Sequence, residues 1–154
     1  MSEIARILDQ LDRAYSGEAW HGPNLLRLLD GLSAEHASKH SIQGAHSIWE
    51  LVNHIAAWNT IVQHELGGEL MEISAERDWP PVYDASDIAW MRTLETLSES
   101  RRRLRKAVEG LRDDQLDEKP VSRSDNSRYL MLHGLVQHDL YHAGQIAVLK
   151  KAIA

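Results

Sequence analysis

Apolar residues recur along this chain at alternating intervals of three and four, the spacing of one helix face, and no stretch alternates as a strand would. Ile4, Leu8, Leu11 and Tyr15 mark a first helix over 3–15. Ser16-Gly17 interrupts it, and Gly22-Pro23 opens a second piece carrying Leu25, Leu28, Leu29 and Leu32. Ser47 and Glu50 have the spacing of a capping box, ahead of a periodic run reaching about Leu66. Ser86 or Asp84 starts a third long helix, with Trp90, Leu94, Leu97, Leu104, Val108 and Leu111 on its stripe. A polar segment, DEKPVSRSDNS, precedes a last helix over about 127–152.

Between the second and third long helices, residues 67–85 (GGELMEISAERDWPPVYDA) show turn residues and two prolines but no period. Extended at ~3.3 Å per residue, such a segment reaches ~60 Å, twice the ~30 Å of a 20-residue helix. It can return the chain to its starting end and let neighbouring helices run parallel. The expected fold is all-α: a single-domain four-helix bundle over residues 1–154 with one long crossover connection.

Composition narrows the partners. A net charge of −6 argues against nucleic acid, whose phosphates call for a basic face. The run Arg101-Arg102-Arg103 lies among Glu95, Glu99 and Glu109 and is expected to be a solvated helix face. No apolar run is long enough to span a bilayer, and the opening MSEIARILDQ has no signal-peptide pattern, so the expected location is cytoplasmic. With no cysteine, any transition metal must be held by imidazole and carboxylate.

The histidines carry the chemistry. Advancing ~100° per residue from His138 puts His142 near +40° and Gln145 near −20°, in the middle of the expected inward stripe. On the preceding capped helix, Leu51, Ala57, Trp58 and Ile61 all fall within ~60° of His54. Three inward imidazoles are costly to desolvate unless each is paired. A divalent cation satisfies all three, and three protein ligands leave a coordination position open. A single inward histidine is more often a hydrogen-bonded core residue, so geometry alone leaves both readings open. His36, His40 and His46 are expected at the surface, His64 at the stripe's edge and His133 on the polar side. His21, beside Trp20, and Tyr141 and Trp58 are candidates to line a pocket mouth; Gln145 could orient a ligand or bond a neighbouring helix.

The segments SIWELVNHIAAW (47–58) and HGLVQHDLYHAGQIAVLKKA (133–152) resemble the DinB/YfiT-like superfamily of metalloenzymes. The likeness spans nearly the whole chain. It implies a four-helix bundle, a divalent ion such as nickel, zinc or iron, and His54, His138 and His142 as its ligands. It also implies small-molecule chemistry, either transfer with a low-molecular-weight thiol or hydrolysis. A three-imidazole site retains the ion's full charge and would acidify a water or thiol.

No general base is evident, since Glu50 is expected to serve the cap and Glu65 lies near the far end of its helix. A protease reading of H-D-L-Y-H, with Asp139 in the place of a catalytic glutamate, is the weaker enzyme alternative. A binding or interaction module with a structural or absent metal is the alternative of another class. Val136, Leu140 and Ala147 lie opposite the histidines, so the last helix must pack centrally or join a homodimer.

Overall fold

The structure is a computed structural model, and it describes residues 1–122 and 124–153. Four long helices form the bundle: α1 (Glu3–Tyr15), α4 (Ile48–Leu66), α6 (Asp87–Glu109) and α7 (Arg128–Ile153). Three short helices lie in the connections: α2 (Leu25–Leu29), α3 (Ala34–Ser38) and α5 (Ala75–Asp78). No described residue belongs to a strand, and the one isolated bridge joins Ala19 to Gly22. No helix among the described residues is long and apolar enough to cross a membrane.

The helix starts are set by side chains that accept orphan backbone N–H groups. Ser47 and Glu50 make the full capping box of α4. Ser86 caps α6, while Asp84 accepts the N–H of Ser86 at 2.9 Å and so orders the approach. Asn24 caps α2 through the Arg27 N–H, which leaves Pro23 just outside the helix and not in its first turn.

Cross-helix contacts fix the directions. The Trp49 indole donates to Thr93 and the Asn59 amide to Ser100, so α4 and α6 run parallel. Arg105 pairs with Asp12, and Asp113 accepts the N–H groups of Glu3 and Ile4, so α1 and α6 run antiparallel. Residues 67–86 are therefore the long crossover, travelling the length of the bundle with α5 inside it. The apolar side chains form two clusters. One centres on Trp49, Leu51, Ile55, Trp90, Leu97 and Ile146, the other on Ile7, Leu11, Leu104, Leu132 and Leu135.

Arg101 departs from the expected solvated face. The intervals from Leu97 to Arg101 and on to Leu104 are four and three, so Arg101 occupies a core position of α6 and is only 4% exposed. Its guanidinium pairs with the fully buried carboxylate of Asp139 on α7 and sits 4.9 Å above the Tyr15 ring. Arg102 and Arg103 are exposed and pair with Glu99.

The buried stripe of α7 also differs from expectation. Its buried residues are Leu132, Leu135, Asp139, His142, Ala143, Ile146 and Leu149. On the same wheel they centre near ~80°, so His138 sits at the stripe's edge and His142 within it. The rotation has a plain cause: α7 packs against α4 on one side and α1 and α2 on the other. Those neighbours cover Val136 and Ala147 in part, while Leu140 stays 37% exposed.

Candidate metal centre

Antiparallel packing of α4 against α7 brings His54 opposite the His138–His142 pair. The Nε2 atoms of His138 and His54 are 2.9 Å apart, and those of His142 and His138 are 3.2 Å apart. One nitrogen from each ring lies within 4.8 Å of the other two, which makes these three residues a group able to hold a metal ion. Two nitrogens bound at ~2.1 Å to one ion are separated by ~2.9–3.4 Å for angles between ~90° and ~109°. The spacing fits.

Hydrogen bonds on the outer nitrogens decide what the inner ones can do. His54 Nδ1 lies 2.5 Å from the carbonyl oxygen of Asp78, which can only accept, so Nδ1 carries the proton. His142 Nδ1 likewise donates to Gln145 Oε1 at 2.6 Å. A neutral imidazole protonated at Nδ1 has a bare lone pair at Nε2. Two such lone pairs therefore converge on His138, with no proton of their own to place between them. A divalent cation is the partner this donor set fits, and the acceptors behind the rings are what ligating histidines ordinarily have. His138 Nδ1 is buried with no hydrogen-bond partner among the described residues.

The crossover supplies much of the surrounding wall. Asp78 Oδ1 accepts the Trp58 indole N–H at 2.8 Å, while the Asp78 main chain holds His54. Trp79 stacks face to face between two imidazoles, 3.8 Å from His54 and 3.7 Å from His46, both at 7°. None of this was visible in the sequence, because residues 67–85 carry no period from which a direction could be inferred. A tryptophan beside two prolines in a polar loop (RDWPPV) was the only available signal.

The other candidates divide. Trp58 lies 5.8 Å from the His138 ring, and Tyr141, largely exposed, lies 5.1 Å from His142. His21 does not join them. It sits in a concavity with Trp20, Val136 and Leu140 and with Gln10, Arg13 and Ala14 of α1, on the face of α7 away from His138. His40 and His46 are exposed, and both approach Glu50, whose Oε2 also accepts the Ser47 N–H. His64 pairs with Glu69, and the His133 ring packs tilted against Tyr129, 4.3 Å between centroids. Asp139 is turned into the core against Arg101, away from the place the protease reading gives it.

A family model described as the DinB superfamily matches residues 19–146. The chain belongs to the DinB superfamily. Comparisons with curated proteins and with solved structures give no significant match. The match covers α2 through most of α7, and with it all three histidines of this DinB chain.

Burial disfavours charge on the three imidazoles. Desolvation, and then the neighbouring His142 and His54, push His138 down to about 3. Desolvation also lowers His54 and His142, opposed by their bonds to Asp78 and Gln145. The unfolded chain, with histidines near ~6.5, thus takes up protons below that pH that the folded chain refuses until lower pH. These groups contribute stability that is fully present above pH ~6.5 and lost as acid is added toward the folded values. The urea midpoint of metal-free protein should accordingly fall between pH 7 and pH 5, before most carboxylates titrate. A flat midpoint across that interval would contradict the assignment.

Gln145 permits a second test. Gln145→Ala removes the acceptor behind His142, and loss of such a partner costs ~10–100-fold in metal affinity. Because Gln145 is exposed and water can take its place, the lower end, ~10-fold, is expected. Titration against a competing chelator measures it, and unchanged affinity would show that the amide does not hold the ring.

Proposed function

We propose that this DinB chain is a metal-dependent enzyme acting on a small molecule, with His54, His138 and His142 as the ligands of a divalent ion. The observation that carries the reading is the convergence of their Nε2 atoms while Nδ1 of His54 and of His142 is engaged elsewhere. Nickel, zinc and iron all suit an imidazole donor set. When bound, such an ion supplies positive charge that lowers the pKa of a small nucleophile, a water or a low-molecular-weight thiol.

The protein's own residues hold and shield the site. Asp78 and Gln145 fix two ring orientations, and Trp79 covers one face of His54. Trp58 stands beside His138 with its indole N–H anchored, presenting an apolar wall to whatever approaches. The low pKa values keep all three imidazoles neutral near pH 7, ready as ligands without displacement of protons.

Elemental analysis of protein purified without a metal-affinity tag tests the reading first. One equivalent of a transition metal per chain is expected. Thiol and electrophile pairs, and hydrolysable esters and amides, are then screened with loaded protein against His54→Ala. Activity that survives this substitution would refute the catalytic role of the centre.

A further inference from the structure

Beside His138, a cavity of ≈ 320 Å³ is bordered by Trp58 and Val62 of α4 on one side and Leu130, Gly134 and Leu135 of α7 on the other. Ligand pockets run from ~300 to ~1,000 Å³, so this one suits a small molecule at the lower end of the range. Its accessible border is mainly apolar; His138 lies at one place on it, and Glu65, Ser122, Ser124 and Asn126 are its other polar residues. The Trp58 ring, 5.8 Å from the His138 ring, is held by its bond to Asp78 and forms a fixed wall. A molecule lying in the cavity against Trp58 has one end at the imidazole cluster.

Gly134 is the informative residue. It lies inside a continuous helix, where glycine is among the least favourable residues. A turn or a close approach would justify it, but its φ is not positive and a Cβ added there meets no atom within 4 Å. No neighbour requires the missing side chain. What its absence leaves is the width of the cavity.

Resting on the metal-dependent reading above, we infer that this cavity binds the apolar part of the substrate, an uncharged aromatic or branched aliphatic group, and that Gly134 sets the size it accepts. Polar molecules of equal size gain less there, because most of the border, Trp58, Val62, Leu130 and Leu135 included, offers no partner for the hydrogen bonds they lose on leaving water.

The test uses 4-phenylbutan-2-one as probe and xylose as a polar molecule of similar size. Binding is followed by two-dimensional NMR on the indole N–H signals, with that of Trp58 assigned through Trp58→Phe. The probe should shift the Trp58 signal saturably, and xylose should not. Gly134→Ala should leave probe affinity within about twofold, whereas Gly134→Phe, which fills the space, should weaken it by at least about tenfold. Zinc titration of Gly134→Phe should match the wild type within about twofold, showing that folding and the imidazoles are intact.

The inference is overturned if Phe at 134 leaves probe affinity unchanged, if the shifts fall on other indoles, or if xylose binds equally well. Joint loss of probe and zinc in Gly134→Phe would also overturn it. A wild type that binds the probe but no zinc would keep the cavity assignment and remove the metal reading.

Discussion

His138→Ala should lower zinc or nickel affinity by roughly two to three orders of magnitude. Structural zinc sites with four protein ligands are worth about 10–16 kcal/mol, so one ligand carries about 2.5–4 kcal/mol of it. His138 is the ring common to both short Nε2 contacts, so removing it leaves His54 and His142 without the donor between them. The same substitution should matter far less to the metal-free protein. There the ring is neutral and carries a buried, unpartnered Nδ1, whose removal offsets part of the packing that is lost. Thermal unfolding should therefore separate the variant from the wild type clearly when loaded and only slightly when stripped. Calorimetric titration gives the affinity directly, and a loss smaller than tenfold would mean that His138 is not a ligand.

Asp139→Ala is expected to destabilise the bundle as strongly as truncating a large core side chain. It strands the Arg101 guanidinium, which is 4% exposed and already has Nε and Nη1 without partners among the described residues. Breaking one side of a buried pair costs about 3–5 kcal/mol. For a chain of this size, the melting point should fall by about 10 °C. Replacing both charges, with Arg101→Met and Asp139→Leu together, should recover most of the loss, because an apolar pair of similar volume avoids the desolvation cost. Urea unfolding of the three variants measures the coupling. A loss below about 1 kcal/mol in Asp139→Ala would show that Arg101 swings out to solvent.

Local rules explain which features could be found without coordinates. The capping box at Ser47 and the stripe through Leu97, Leu104 and Val108 depend only on spacing within one helix. The inward direction of His54 and His142 depends on spacing in the same way. Arg101 belongs to that stripe by position, yet three consecutive arginines among glutamates suggest solvent; the partner that makes burial tolerable, Asp139, is 38 residues away. The turn of α7 relative to its neighbours was equally inaccessible, because it depends on α1 and α2 packing against a third side. Asp78 and Trp79 lay deepest. An aperiodic connection gives no direction for its side chains, and only the path of the crossover brings them beside His54.

That path has a consequence for how this chain can change over time. Insertions and deletions in surface connections are ordinarily tolerated, but here the strand of chain that permits α4 and α6 to point the same way is the one that props an imidazole from behind. Shortening it into a hairpin would reverse α6 and withdraw the prop in a single event. Its length is tied to architecture and chemistry together, and drift in one is restrained by the other.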